Sequence, residues 1–127
     1  MEFFSEVSIQ GASSDLICEL VTIARLPILC ASIDTVLSDD SEGYGEIYCV
    51  WGQFQVSREK IRNGVRFSLL NCPHALAWTV AAHGSPAAVV VHCTIDDKVA
   101  EEEFAESIEQ FVEDFAEGLR GNLHECA

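Results

Sequence analysis

Two periods of apolar and polar positions run along this chain, and together they predict its elements. Over Asp96–Leu123, the residues Phe104, Ile108, Phe111, Val112, Phe115 and Leu119 form the stripe of one long amphipathic helix. Asp96 or Asp97 is placed to cap its start, and Gly118 and Gly121 suit its end. Ser14–Leu26 carries a second helical pattern, stopped by Pro27. Strand periods fill the rest: Phe3–Gln10 as a short edge strand or lead-in, Ile28–Leu37, and Glu46–Val56, with a polar loop over Asp39–Gly45. In Glu46–Val56 the apolar parity shifts between Trp51 and Phe54, which a bulge at Gly52-Gln53 would absorb. Ser57–Cys72 reads as a hairpin, Ser57–Arg62 and Val65–Leu70 around Asn63-Gly64, with a short helix as the alternative. Ala75–Ala82 and Ala87–Ile95 form another hairpin around His83–Pro86, pairing Val80 with Val89 and Trp78 with Val91. This leaves Leu76, Trp78, Val80, Val89, Val91, Cys93 and Ile95 on one apolar face, and small residues on the other.

The predicted architecture is a single α+β domain over residues 1–127. A twisted antiparallel sheet has the N-terminal helix and the long acidic C-terminal helix packed on one face. At 49% hydrophobic and 22% charged residues, the chain has the composition of a packed domain. Its formal charge of −14 changes the functional picture. It argues against a nucleic-acid partner and against an anionic membrane surface, both of which call for clustered Lys and Arg. The acidic helix face, with Glu106, Glu109, Glu113, Asp114 and Glu117, fits a solubilising surface or a basic partner. The N-terminus lacks the pattern of a signal peptide and no apolar run is long enough for a membrane helix, so a cytoplasmic location is expected. In that compartment the six cysteines are expected as thiols, with Cys18, Cys30, Cys49 and Cys93 acting as small hydrophobes within apolar runs.

Candidate chemistry is sparse. Cys72, His74, His92 and Cys93 have atoms suited to zinc, but the predicted pairing separates them and no regular ligand spacing is present. No local signature marks a cysteine nucleophile, and no Gly-rich phosphate loop is found. Neither a metal nor a cofactor is therefore expected. Arg58, Lys60, Arg62 and Arg66 cluster in one segment, as ordinary pairing with the acidic helix, as edge-protecting charge, or as a docking patch for an acidic segment of a partner.

The second half of the chain resembles the small dimeric chaperones of bacterial type III secretion. The resemblance lies in Leu69-Leu70-Asn71, the two strands that follow, and the acidic helix bearing Phe104, Ile108, Phe111 and Phe115. It implies a non-enzymatic homodimer that holds an extended segment of another polypeptide. The corresponding expectation is a chaperone or adaptor with Trp51, Phe54, Ala77, Thr79, Ala81, Val90 and His92 as contact residues, binding by strand addition or in a groove. Two alternatives come from other classes: an acidic inhibitor that mimics nucleic acid, and a small zinc- or ligand-binding enzyme using Cys72, His74, His92 or Cys93.

Overall fold

The computed structural model describes residues 1–83 and 88–123. Seven antiparallel strands form one sheet in the order β1-β7-β6-β5-β4-β3-β2. They are β1 (Glu2–Ser8), β2 (Ile33–Asp39), β3 (Tyr44–Cys49), β4 (Gly52–Ile61), β5 (Gly64–Leu69), β6 (Ala77–His83) and β7 (Ala88–Thr94). From β2 to β7 each strand pairs with the next, while β1 pairs with β7 at the far edge. Helix α1 (Ser14–Leu20) and helix α2 (Leu26–Leu29) lie in the crossing from one edge to the other, and α3 (Glu102–Asn122) follows the last strand. This is the predicted α+β class, with the long helix on the apolar face of the sheet.

The single helix expected over Ser14–Leu26 is broken. Ser13 caps α1, its hydroxyl accepting from the Leu16 N–H at 3.1 Å. The helix stops at Leu20, and the carbonyls of Cys18 and Val21 accept from the Arg58 guanidinium at 2.5 and 2.8 Å. A 3-10 turn over Ile23–Arg25 leads into α2, where Pro27 sits in the first turn. There the missing N–H has no intrahelical partner to lose, so the proline helps to start the second helix rather than ending the first. The strand expected from Ile28 consequently begins only at Ile33.

The parity shift near Trp51 is a hairpin and not a bulge. Cys49 pairs with Gly52, so Val50 and Trp51 form a two-residue turn between β3 and β4. Gly52 adopts φ +116°, a left-handed value that side chains resist. The Asn63-Gly64 region does form the predicted hairpin, but Ile61 pairs with Gly64, so Arg62 and Asn63 make the turn. Gly64 stays in β5 because a Cβ there would lie 1.9 Å from the Val80 carbonyl oxygen of β6. In the β6–β7 hairpin Trp78 pairs with Cys93 and Val80 with Val91, two residues from the predicted register. A slip of two preserves the faces, so the expected apolar side is the observed one. The turn residues 84–87 lie outside the described residues.

Between α3 and the sheet, Phe67, Trp78, Phe111 and Phe115 are fully buried. Phe67 stacks on Trp78 at 5.2 Å, and Trp78 meets Phe111 edge-on at 4.9 Å. Helix α3 begins at Glu102, and neither Asp96 nor Asp97 caps it. It continues through both glycines: at Gly118 a Cβ would sit 1.9 Å from the Leu29 carbonyl oxygen, so this glycine lets α3 cross α2 at close range.

Candidate functional site

One cavity, of about 280 Å³, opens where three distant segments meet at the N-terminal end of α3. The β3–β4 hairpin brings Trp51 and Phe54, the β5–β6 connection brings Leu69, Cys72, Pro73, His74 and Leu76, and α3 brings Phe104. The two-residue turn puts Trp51 at a hairpin tip. Its indole N–H donates to the Ser107 hydroxyl at 2.8 Å, and its ring lies 5.1 Å from that of Phe111. Ser107 in turn donates to the Phe104 carbonyl at 2.6 Å, so the hairpin tip is tied to the first turns of α3.

His74 is the principal polar group of the lining. Its Nδ1 lies 3.0 Å from both carboxylate oxygens of Asp97, and its ring packs at 4.5 Å against Phe104. The backbone fixes this arrangement: the Asp96 N–H donates to the His74 carbonyl at 2.9 Å, and Ala75 adopts φ +50° directly after it. A non-glycine residue in that region costs on the order of 1–3 kcal/mol, which marks a place where the surrounding structure overrides local preference. Asp97, expected as a helix cap, instead orients the histidine.

The expected contact residues fall into two places. Trp51 and Phe54 line the cavity. Ala77, Thr79, Ala81, Val90 and His92 lie together on the opposite face of the sheet, where Thr79 pairs with His92 and Ala81 with Val90. There His92 stacks on Phe4 at 4.2 Å and pairs through Nε2 with Glu2 at 3.0 Å. Of the four candidate zinc ligands, Cys72 and His74 line the cavity, Cys93 is buried and His92 is on the outer face. Among the described residues no group of three or more His, Cys, Asp or Glu is arranged to hold a metal. The basic cluster is also divided. Arg58 shares the inner side of the sheet with Phe67 and is occupied by α1, whereas Arg66 pairs with Glu59 on the other side. Leu69, Leu76, Phe104 and Asp97 were not distinguishable as site residues, since each satisfies an ordinary core or cap pattern. Gly52 directly after Trp51 was the one available signal, because a hairpin there projects the indole.

Other concavities lie among the described residues. A more open groove of about 410 Å³ runs along the β2–β3 tip, with Asp39, Asp40 and Glu46. A groove of about 340 Å³ lies between β1 and α3, with Glu2, Glu109 and Glu113 around Phe3, Phe4 and Val112. Both carry several carboxylates, whereas the 280 Å³ cavity is walled mainly by aromatic and aliphatic side chains with His74 as its principal polar group. No helix among the described residues is long and apolar enough to cross a membrane.

No known family's sequence profile matches this chain, and no curated protein matches it. Solved structures do. A protein from Bacillus thuringiensis superposes with a TM-score of 0.70 at 16% identity, covering 95% of this chain and 97% of the other. A START superfamily protein from Mycobacterium smegmatis does so with a TM-score of 0.65 at 13% identity, covering 97% and 95%. Ara h 8.0201 gives a TM-score of 0.62 at 10% identity, covering 95% of each chain. At these identities the likeness shows the fold alone: a START-like, helix-grip α+β fold. The sheet-and-helix outline implied by the secretion-chaperone resemblance is present, but the structures named here include no such chaperone, and residues 57–69 are strands and turn rather than the alternative short helix.

Proposed function

We propose that this chain is a non-catalytic binding module whose ligand is a small, mainly apolar molecule held in the 280 Å³ cavity. The observation that carries this reading is the convergence of Trp51, Phe54, Leu69, Leu76 and Phe104 on one opening with a single oriented polar group, His74. Pre-formed apolar pockets with a few placed polar groups are the usual form of small-molecule sites. The START-like fold supports a binding module by analogy. The space between α3 and the sheet is filled by Phe67, Trp78, Phe111 and Phe115, and the cavity lies beside it at the N-terminal end of α3. An apolar cavity of about 150 Å³ holds one benzene, so this one suits a ligand of one or two rings. At about 0.5 kcal/mol per heavy atom, a two-ring ligand of about eleven heavy atoms would bind with a Kd on the order of 100 µM.

The test is a screen of uncharged one- and two-ring aromatics by amide chemical-shift mapping. Binders should perturb residues 51–54, 72–76 and 104 together, and Cys72→Phe, which places bulk in the opening, should abolish the effect without unfolding the protein. Perturbations confined elsewhere would sink the reading.

A polypeptide partner, as a chaperone or adaptor would have, is supported by a different feature. The groove between β1 and α3 joins three carboxylates to Phe3, Phe4 and Val112, which suits a basic segment with an apolar side chain. Strand addition has less support at β2, where two register irregularities and the exposed Asp34 and Asp39 are the devices that blunt an edge. Binding at the acidic groove should weaken steeply with salt, whereas binding in the apolar cavity should not.

A further inference from the structure

We infer that the cavity selects aromatic ligands bearing a hydroxyl or N–H donor, and that His74 Nε2, held as an acceptor by Asp97, is the group that selects them. The inference rests on the cavity reading above and specifies its ligand class. An ionised carboxylate can only accept hydrogen bonds, and Asp97 presents both oxygens to His74 Nδ1 at 3.0 Å. Nδ1 therefore carries the proton, and in neutral imidazole Nε2 is left with an available lone pair. No hydrogen bond to that Nε2 is made among the described residues. The rest of the lining offers little competition. Trp51 spends its N–H on Ser107, and the His74 carbonyl already accepts from the Asp96 N–H. Phe54, Leu69, Leu76 and Phe104 have no polar side-chain atoms, and Cys72 contributes a thiol, a weak donor and acceptor. With His74 in the lining and its Nδ1 engaged by Asp97, Nε2 is the acceptor left to a ligand that fills the apolar space. The formal charge of −14 further disfavours anions, so an uncharged donor such as a phenol or an indole-type N–H is the matching chemistry.

The probes are 2-naphthol and 2-methoxynaphthalene, which share the two-ring body and differ in the replacement of the donor hydrogen by a methyl group, titrated calorimetrically into the intact chain and into His74→Phe and Asp97→Ala, where a purely steric preference would persist. His74→Phe keeps an aromatic ring against Phe104 and removes the acceptor, whereas Asp97→Ala leaves the lining intact and releases the tautomer. The wild-type protein should bind 2-naphthol about fivefold more tightly than its methyl ether, the ratio one hydrogen bond supplies. In both variants that ratio should fall toward one while the methyl ether binds as before. Equal binding of the two probes by the wild-type protein would overturn the role of His74 and leave the cavity reading standing. A fivefold ratio that survives in either variant would do the same. Failure of both probes to bind any of the three proteins would remove the cavity reading, and this inference with it. If His74→Phe does not fold, Asp97→Ala decides by the same ratio.

Discussion

At the scale of single residues, the cysteines show how context sets chemistry. Burial pushes the Cys30 and Cys93 thiols up to about 12, with Asp114 adding to the effect at Cys30 and Cys72 at Cys93. Burial also raises Cys49. The thiols of Cys30, Cys49 and Cys93 are buried, as expected for cysteines placed in apolar runs, whereas Cys18 and Cys72 are half-buried. A group whose pKa is higher folded than unfolded stabilises the protein while it is protonated in both states, and that contribution is lost as pH rises through the gap. Here the gap runs from the ordinary thiol value near 9 to about 12, so these thiols should cost nothing below pH 8.5. Above pH 9 each should remove about 1.4 kcal/mol of stability per pH unit. Urea unfolding at pH 8, 9.5 and 10.5, with Cys30→Ala as reference, checks this: the variant should lose less stability than the wild-type protein between the first and last values. Equal slopes would show that Cys30 ionises in place. The same burial predicts that, in a Cys126→Ser background, a thiol reagent labels Cys18 and Cys72 in the native protein and reaches Cys30, Cys49 and Cys93 only on unfolding.

At the scale of elements, pattern was a good guide wherever one face had to be buried and a poor one wherever a boundary depended on a partner far away in sequence. The stripe on α3 and the faces of β6 and β7 were legible because a register slip of two residues leaves them unchanged. The end of α1 was not, because it depends on Arg58, thirty-odd residues downstream, reaching the Cys18 and Val21 carbonyls. Arg58→Met should therefore destabilise the protein by about 2 kcal/mol, the scale of hydrogen bonds from a charged group, here to two partly buried carbonyls. Its signature would be faster hydrogen exchange in residues 14–25, and exchange unchanged there would contradict the capping role. The two glycines of α3 make a sharper case, because helix propensity alone treats them alike. Gly121→Ala meets open space and should stabilise by a few tenths to about 1 kcal/mol. Gly118→Ala would press a methyl group onto the Leu29 carbonyl and should destabilise by about 1–3 kcal/mol or more, the range of overpacked sites. Denaturant midpoints moving the same way in both variants would refute the close α2–α3 crossing.

At the scale of the whole molecule, the sequence revealed the ingredients of the site but not their meeting. Trp51, Phe54, Cys72 and His74 drew notice as residues, yet the cavity needs a hairpin tip, a strand connection and a helix start separated by some fifty residues. Asp97 looked like a cap because local spacing shows only local partners. Net charge, by contrast, is a whole-molecule property that needs no fold to read, and the fold makes its consequence specific. Glu109, Glu113 and Glu117 are all exposed and stand four residues apart along α3, so each neighbour is a like charge at helical contact distance. Of the three, Glu117 has an ion-pair partner, Arg120 at 2.9 Å. With the chain at −14, folding gathers these charges against their mutual repulsion, and that repulsion reaches about 30 Å at 10 mM salt but only about 10 Å at 100 mM. Thermal unfolding at pH 7 should therefore move upward by several degrees between 10 and 300 mM NaCl, corresponding to about 1 kcal/mol. Glu113→Lys turns both of its like-charge neighbours into attractive ones, so it should raise Tm in low salt and shrink the salt response. A Tm that is flat or falls with salt, or a Glu113→Lys variant as salt-sensitive as the wild-type protein, would show that the acidic face of α3 exerts no strain on the fold. In that case the charge could not be weighed against stability when asking why the face is acidic.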